Sequence, residues 1–174
     1  MYQKYLMISA VLFSLPACMS FYDPSQLTSA DSTAKIRVYQ QADVTMYPGE
    51  HCYGSNNPRA IHAAQSGFSI FGTHKRAGMP VTEDISSAYN EYIIQAGKPL
   101  TVMMQWTSDK GGVKSSCGPL GSTFFPQAGK NYDVSLLGSA DYCMLQVREL
   151  YETAPGKAVA RLAPVSPSFA CGGK

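Results

Sequence analysis

The sequence predicts an all-β domain, an antiparallel β-sandwich or small barrel, held behind a short N-terminal segment of different character. Three observations predict it. Alternating polar and apolar runs recur about every 8–12 residues, as in sandwiches and barrels. Fifteen glycines and eleven prolines separate those runs, as turn residues do. No stretch carries the 3.6-residue apolar period of a normal-length helix.

The domain is expected over residues 35–174. Ile36 and Val38 alternate with Arg37 and Tyr39, which is a strand pattern. Residues 44–47 make a second short strand, and Pro48-Gly49-Glu50 turns the chain. Residues 59–65 suit a helical turn, and residues 68–71 a strand between two glycines. Residues 73–84, with Gly78 and Pro80, read as a loop. Residues 89–94 alternate again, Ala96-Gly97-Lys98-Pro99 turns, and residues 100–106 form a strand. Those two strands are the expected hairpin. Residues 108–112 turn and 113–117 make a short strand. Residues 122–125 form a strand ended by Pro126, and residues 127–130 turn. Residues 132–137 and 143–150 are strands, and residues 158–162 are an edge strand in a proline-bearing tail. The turns at 96–99 and 128–130 look alike and are expected to mark two similar hairpins.

Before the domain, Lys4 precedes an apolar run of about ten residues, half of what a membrane-spanning helix needs. A charged start, an apolar middle and a small-residue end make a secretory signal peptide over residues 1–17. Its end, Leu15-Pro16-Ala17-Cys18, resembles the lipobox of bacterial lipoproteins. Pro16 departs mildly from the commonest residue at its place. The resemblance implies a diacylglycerol thioether on Cys18, cleavage before it, and acylation of the new amino group. Such chains anchor at about 0.8 kcal/mol per buried CH₂. Met19 stands where Asp would imply retention at the inner membrane, so the resemblance implies the outer membrane of a Gram-negative cell, periplasmic face. Residues 18–34 are polar and aperiodic and are expected to be a flexible tether.

Further along, Ala34-Lys35-Ile36-Arg37-Val38, Tyr47-Pro48 with Cys52, Gly78-Met79-Pro80, and Ala96-Gly97-Lys98-Pro99 occur in order. Phe125-Pro126, Gly129-Lys130-Asn131-Tyr132 and Cys143 follow. This order is similar to a loose group of Gram-negative exported lipoproteins, which implies a location and no activity.

Removing residues 1–17 leaves 157 residues with 13 basic against 12 acidic side chains. That near-neutral chain lacks the clustered basic surface of a nucleic-acid binder. With Cys18 lipidated, Cys52, Cys117, Cys143 and Cys171 remain, an even set expected to form two disulfides in an oxidising compartment. Three pairings are open. The favoured one joins Cys117 to Cys143, which flank one compact strand pair, and Cys52 to Cys171, whose tail needs pinning. No CxxC spacing supports a Cys₄ metal site.

Candidate chemistry is thin. His51, His62 and His74 lack zinc-protease spacing, and His51 beside Cys52 is no Cys–His pair once Cys52 is oxidised. Ser69 follows Gly67 but Phe71 replaces the second glycine of a nucleophile elbow. Glu83 and Asp84 are adjacent, so their side chains diverge. Gly111-Gly112 and Gly172-Gly173 stand outside any phosphate-loop pattern. Trp106 reads as core or rim, and Tyr47, Tyr53, Tyr89 and Tyr92 read either as a sugar- or protein-binding face or as half-exposed packing in a sandwich. No catalytic residue, cofactor or metal is expected. The expected role is a non-enzymatic envelope protein that binds another protein. Its alternatives are a periplasmic immunity or inhibitor protein and a small-ligand or glycan binder.

Overall fold

The computed structural model describes residues 32–54, 58–66, 75–85, 88–138 and 142–172. The segment expected to be a signal peptide, Cys18, the strand expected at 68–71 and His74 lie outside them. Eleven strands run in the described chain: β1 (Thr33–Tyr39), β2 (Asp43–Pro48), β3 (Ile61–Ala64), β4 (Val81–Thr82), β5 (Tyr89–Gln95) and β6 (Leu100–Lys110) come first. β7 (Val113–Phe124), β8 (Asn131–Gly138), β9 (Cys143–Ala154), β10 (Lys157–Leu162) and β11 (Ser166–Ser168) follow. They form two packed sheets, so the all-β sandwich reading holds. The first sheet has the order β4-β10-β9-β8-β1-β5 and the second β11-β7-β6-β2-β3.

Period-2 alternation places the core. In β1 the even residues Ala34, Ile36 and Val38 turn inward, meeting Val134 and Val147 of their own sheet and Val44, Met46, Val102, Met104 and Phe124 of the other. Each of these side chains larger than alanine gains about 1.5–3 kcal/mol on leaving water. Thr33 and Ala34, assigned above to the tether, are strand residues, and Ala34 is buried because β1 pairs on both sides.

Several expectations change. β1 runs parallel to β8, and β10 parallel to β4, within an otherwise antiparallel arrangement. β5 and β6 are not a hairpin: β5 pairs with β1 in one sheet, and β6 with β2 and β7 in the other. The like turns at 96–99 and 128–130 are both sheet-to-sheet crossovers. They sit side by side, with Gly97 N–H bonded to Pro126 O at 2.8 Å and Gly129 N–H to Thr33 O at 2.8 Å. The tight hairpins are β6–β7, turned by Gly111 and Gly112 at positive φ, and β9–β10, turned by Pro155 and Gly156. Residues 59–65 form no helical turn. They contain β3, whose Ala63 carbonyl accepts the Tyr92 hydroxyl at 2.6 Å and Asn90 at 3.0 Å, sealing the sandwich side between β3 and β5.

Two disulfides fasten this frame. Cys117–Cys143 joins β7 to β9 and therefore one sheet to the other. The strands between those cysteines do not pair with each other, contrary to the flanked strand pair expected above; β7 and β8 lie in different sheets. Cys52–Cys171 ties the β2–β3 connection to the tail. Tyr53 and Ala170 bridge beside it, and Cys171 N–H bonds Tyr53 O at 2.7 Å. Pro167 is tolerated because β11 is an edge strand.

Gly121 of β7 lies under this tail. A Cβ there would stand 2.6 Å from both Ser168 O and the Tyr53 ring. Gly121→Ala is expected to cost about 1–3 kcal/mol and to speed proteolysis of the tail. An unchanged melting temperature would contradict that packing.

Candidate functional site

Two places gather polar side chains, and both lie on the faces that the sheets turn away from the core.

The first is a groove of about 1260 Å³ on the outer face of the second sheet. Alternation supplies its floor: Asp43, Thr45 and Tyr47 are the outward residues of β2, His62 of β3, and Met103 and Gln105 of β6. One wall is the loop after β2. Thr101 Oγ1 donates to Glu50 O at 2.7 Å and Ser168 Oγ to His51 O at 2.7 Å, so the loop is pinned over the sheet. The disulfide at Cys52 fixes its far end and presents Tyr53 to the groove. Asp43 Oδ1 accepts both the N–H and the Oγ–H of Ser66, at 2.6 and 2.8 Å.

Thr45 Oγ1 and His62 Nδ1 share a hydrogen bond at 3.3 Å. A hydroxyl–imidazole pair is an activated nucleophile only when a third group orients the ring. Asp43, the nearest acid along β2, is engaged by Ser66 through Oδ1. The groove therefore offers donors, acceptors and the Tyr53 ring to a bound group. Glu50 and Asp43 bring negative charge to it, Arg59 positive charge.

The second place is a row of alternating charge in the curl of the first sheet. Register sets Glu91 of β5 opposite Arg37 of β1, Arg37 opposite Asp133 of β8, and Asp133 opposite Arg148 of β9. Arg37 and Asp133 are completely buried. Arg37 donates from Nη2 to Glu91 Oε1 at 2.8 Å and to Pro80 O at 2.9 Å. Glu91 Oε2 accepts the N–H groups of Ala77 at 2.8 Å and Met79 at 3.3 Å. Arg148 forks onto Asp133, Nε to Oδ1 at 2.8 Å and Nη2 to Oδ2 at 2.7 Å, and also pairs with Asp84.

The cover over this row is the segment 75–85. Lys75 O accepts Glu91 N–H at one edge of the sheet, and β4 pairs with β10 at the other. Met79 fills the hollow with Leu150 and Ala158, a second small apolar cluster. Tyr89 stacks under the guanidinium groups of Arg37 and Arg76, at 4.6 and 4.0 Å from its centroid.

Burial alone would raise the Glu91 carboxyl, but Arg37 and the N–H groups of Ala77 and Met79 outweigh it and hold it below the usual range. Arg148, and then Thr82, hold Asp84 low. A carboxylate depressed in the folded state stabilises fully above its unfolded value, near 4, and loses that contribution as pH falls. Acidifying from pH 7 to 3 is therefore expected to lower the melting temperature, and segment 75–85 to become protease-sensitive first. Glu91→Gln should flatten that dependence; an unaltered slope would count against the assignment.

The residues singled out in the sequence separate in the structure. His51 is exposed, its ring 5.8 Å from Phe125, whereas His62 lies in the groove and away from it. Tyr92 is buried in the core, Tyr47 and Tyr53 meet at the groove as floor and wall, and Tyr89 stacks against Arg37, so the four tyrosines do not form one face. Trp106 packs half-buried against the core. Glu83 is exposed while its neighbour Asp84 pairs with Arg148. Among the described residues no group of three or more His, Cys, Asp or Glu is placed to hold a metal ion. Arg37, Glu91, Asp133 and Arg148 were not singled out. Their signal was an apolar Gly78-Met79-Pro80 able to cover a polar strand face.

Compared with protein-family models, with curated proteins and with solved structures, the chain matches none.

Proposed function

We propose that the chain is a lipoprotein held through Cys18 at the periplasmic face of an outer membrane. Its β-domain binds a segment of another envelope protein and turns over no substrate. The observation that carries the binding role is the groove on β2, β3 and β6. Its volume, about 1260 Å³, exceeds the roughly 300–1,000 Å³ of small-molecule sites. Its polar floor and Tyr53 wall suit an extended peptide, whose backbone needs donors and acceptors and whose side chains need an apolar ring. An immunity or inhibitor protein is the narrower form of this reading, with a toxin or hydrolase as the bound protein. The second reading, a glycan in the same groove, draws on the same Tyr53, Asp43 and Gln105 set.

A photo-crosslinking amino acid at Gln105, exposed in the groove, tests this in intact cells. A discrete protein adduct from position 105, and none from exposed Val113 at the far turn, is expected. Equal labelling from both positions would contradict the groove. Loss of the adduct on adding soluble envelope glycan would favour the second reading.

A further inference from the structure

We infer that the end of the sandwich at which β1 begins lies against the phospholipid surface, with Phe125 and Val165 seated in it. The inference rests on the reading of Cys18 as lipidated. Its geometric basis is separate. Ser32 opens the described domain, and its carbonyl accepts Ala96 N–H at 2.8 Å. Around it gather the turns at 97–99, 126–130 and 49–50, joined by the Gly97–Pro126, Gly129–Thr33 and Gly49–Pro99 backbone bonds. These turns define one end of both sheets. The opposite end carries the β6–β7 turn at 111–112 and the start of β9 at Cys143.

Chain length selects the end. Fourteen residue steps separate Cys18 from Ser32, and a free chain of that length has a root-mean-square reach of about 20 Å. The anchor thus holds the Ser32 end at high effective concentration beside the bilayer, where a contact too weak to act alone suffices.

The side chains at that end suit an interface. Phe125 is 58 % exposed and Val165 is 41 % exposed, and both line one small hollow with Pro164 and Gln127. Lys98, in the turn at 97–99, and Lys157, at the start of β10, are exposed at the same end. Such amines reach headgroup phosphates while their stems lie along apolar surface. Two of the acids at this end are engaged within the fold, Glu149 pairing with Lys130 at 3.1 Å and Glu152 Oε1 accepting Gly156 N–H at 2.9 Å, and Glu50, in the turn at 49–50, lines the groove. The occupant is therefore the bilayer that carries the acyl chains of Cys18 itself. An exposed aromatic ring with neighbouring lysines is the side-chain set of interfacial membrane contact.

Tryptophan quenching tests this in the full, lipidated protein. The protein is placed in phosphatidylethanolamine–phosphatidylglycerol vesicles with brominated acyl chains. The wild type is its own distal control, because its one tryptophan, Trp106, lies six residues along β6 from the Ser32 end. Phe125→Trp adds a second indole, at an exposed position where folding is not at risk. Seated about 5–10 Å into the headgroup–acyl boundary, that added emission should shift to the blue and fall by roughly half or more. Wild-type emission should stay unchanged. Val165→Trp should behave as Phe125→Trp does. Flotation with the vesicles, but no quenching of either variant, would overturn the inference and leave the anchor standing. Failure of the wild type to float would overturn the anchor, and the inference with it.

Discussion

Replacing Arg37 with alanine is expected to cost about 3–5 kcal/mol, the range for breaking a buried ion pair from one side. The guanidinium is wholly buried and meets Glu91 Oε1 through both Nε and Nη2. Its removal leaves a carboxylate in the interior, answered only by the Ala77 and Met79 N–H groups. It also strips the Pro80 carbonyl of its donor and leaves a void. Arg37→Met separates the charge from the void, because methionine refills part of the stem's volume. If the bare charge dominates, both variants lose similar stability in urea unfolding. If the void dominates, methionine recovers most of it. A loss below about 1 kcal/mol for Arg37→Ala would place that residue with ordinary surface positions and would contradict the buried row.

The Cys52→Ser/Cys171→Ser double variant should lose at least as much. That bridge spans a sequence separation of 119, the Cys117–Cys143 bridge one of 26. Chain entropy alone assigns the longer loop about 5 kcal/mol and the shorter about 3.5 kcal/mol. The longer bridge has a second consequence. It holds the Tyr53 wall of the groove and the Ala170 bridge, so its loss should also abolish crosslinking from position 105. The Cys117–Cys143 bridge joins sheet to sheet from β7, opposite Trp106, and does not hold the Tyr53 wall, so the Cys117→Ser/Cys143→Ser variant should keep that crosslink, at reduced stability. Equal crosslinking in both double variants would separate the groove from the bridge.

Much of the fold was legible because alternation and turn chemistry are local. Ile36 and Val38 against Arg37 and Tyr39 announce a strand wherever they occur. What alternation does not carry is the partner. Ala96-Gly97-Lys98-Pro99 is plainly a turn. A turn of that length can return a strand beside its neighbour or carry it to the facing sheet about 10 Å away. The second happens here, twice. The same locality hid the charge row. Arg37, Glu91 and Asp133 stand at the polar positions of their strands, where the pattern reads as solvent. They are buried because residues 75–85, distant in sequence from β1 and from β8, cross over them. Tyr92 illustrates the converse: a tyrosine suited to a binding face serves the interior when its hydroxyl finds a partner, as it does at Ala63 O. In the groove, His62 was named but its companions Thr45 and Gln105 were not, since neither residue type is distinctive until β2 and β6 pair.

The central claim is that this β-domain is held to a membrane by lipid on Cys18. Metabolic labelling of cells with a clickable palmitate analogue, followed by membrane flotation, tests it directly. The wild type should carry the label and float with outer-membrane vesicles, and Cys18→Ala should lose both label and flotation while keeping its disulfides. Label and flotation that survive in Cys18→Ala would contradict the claim.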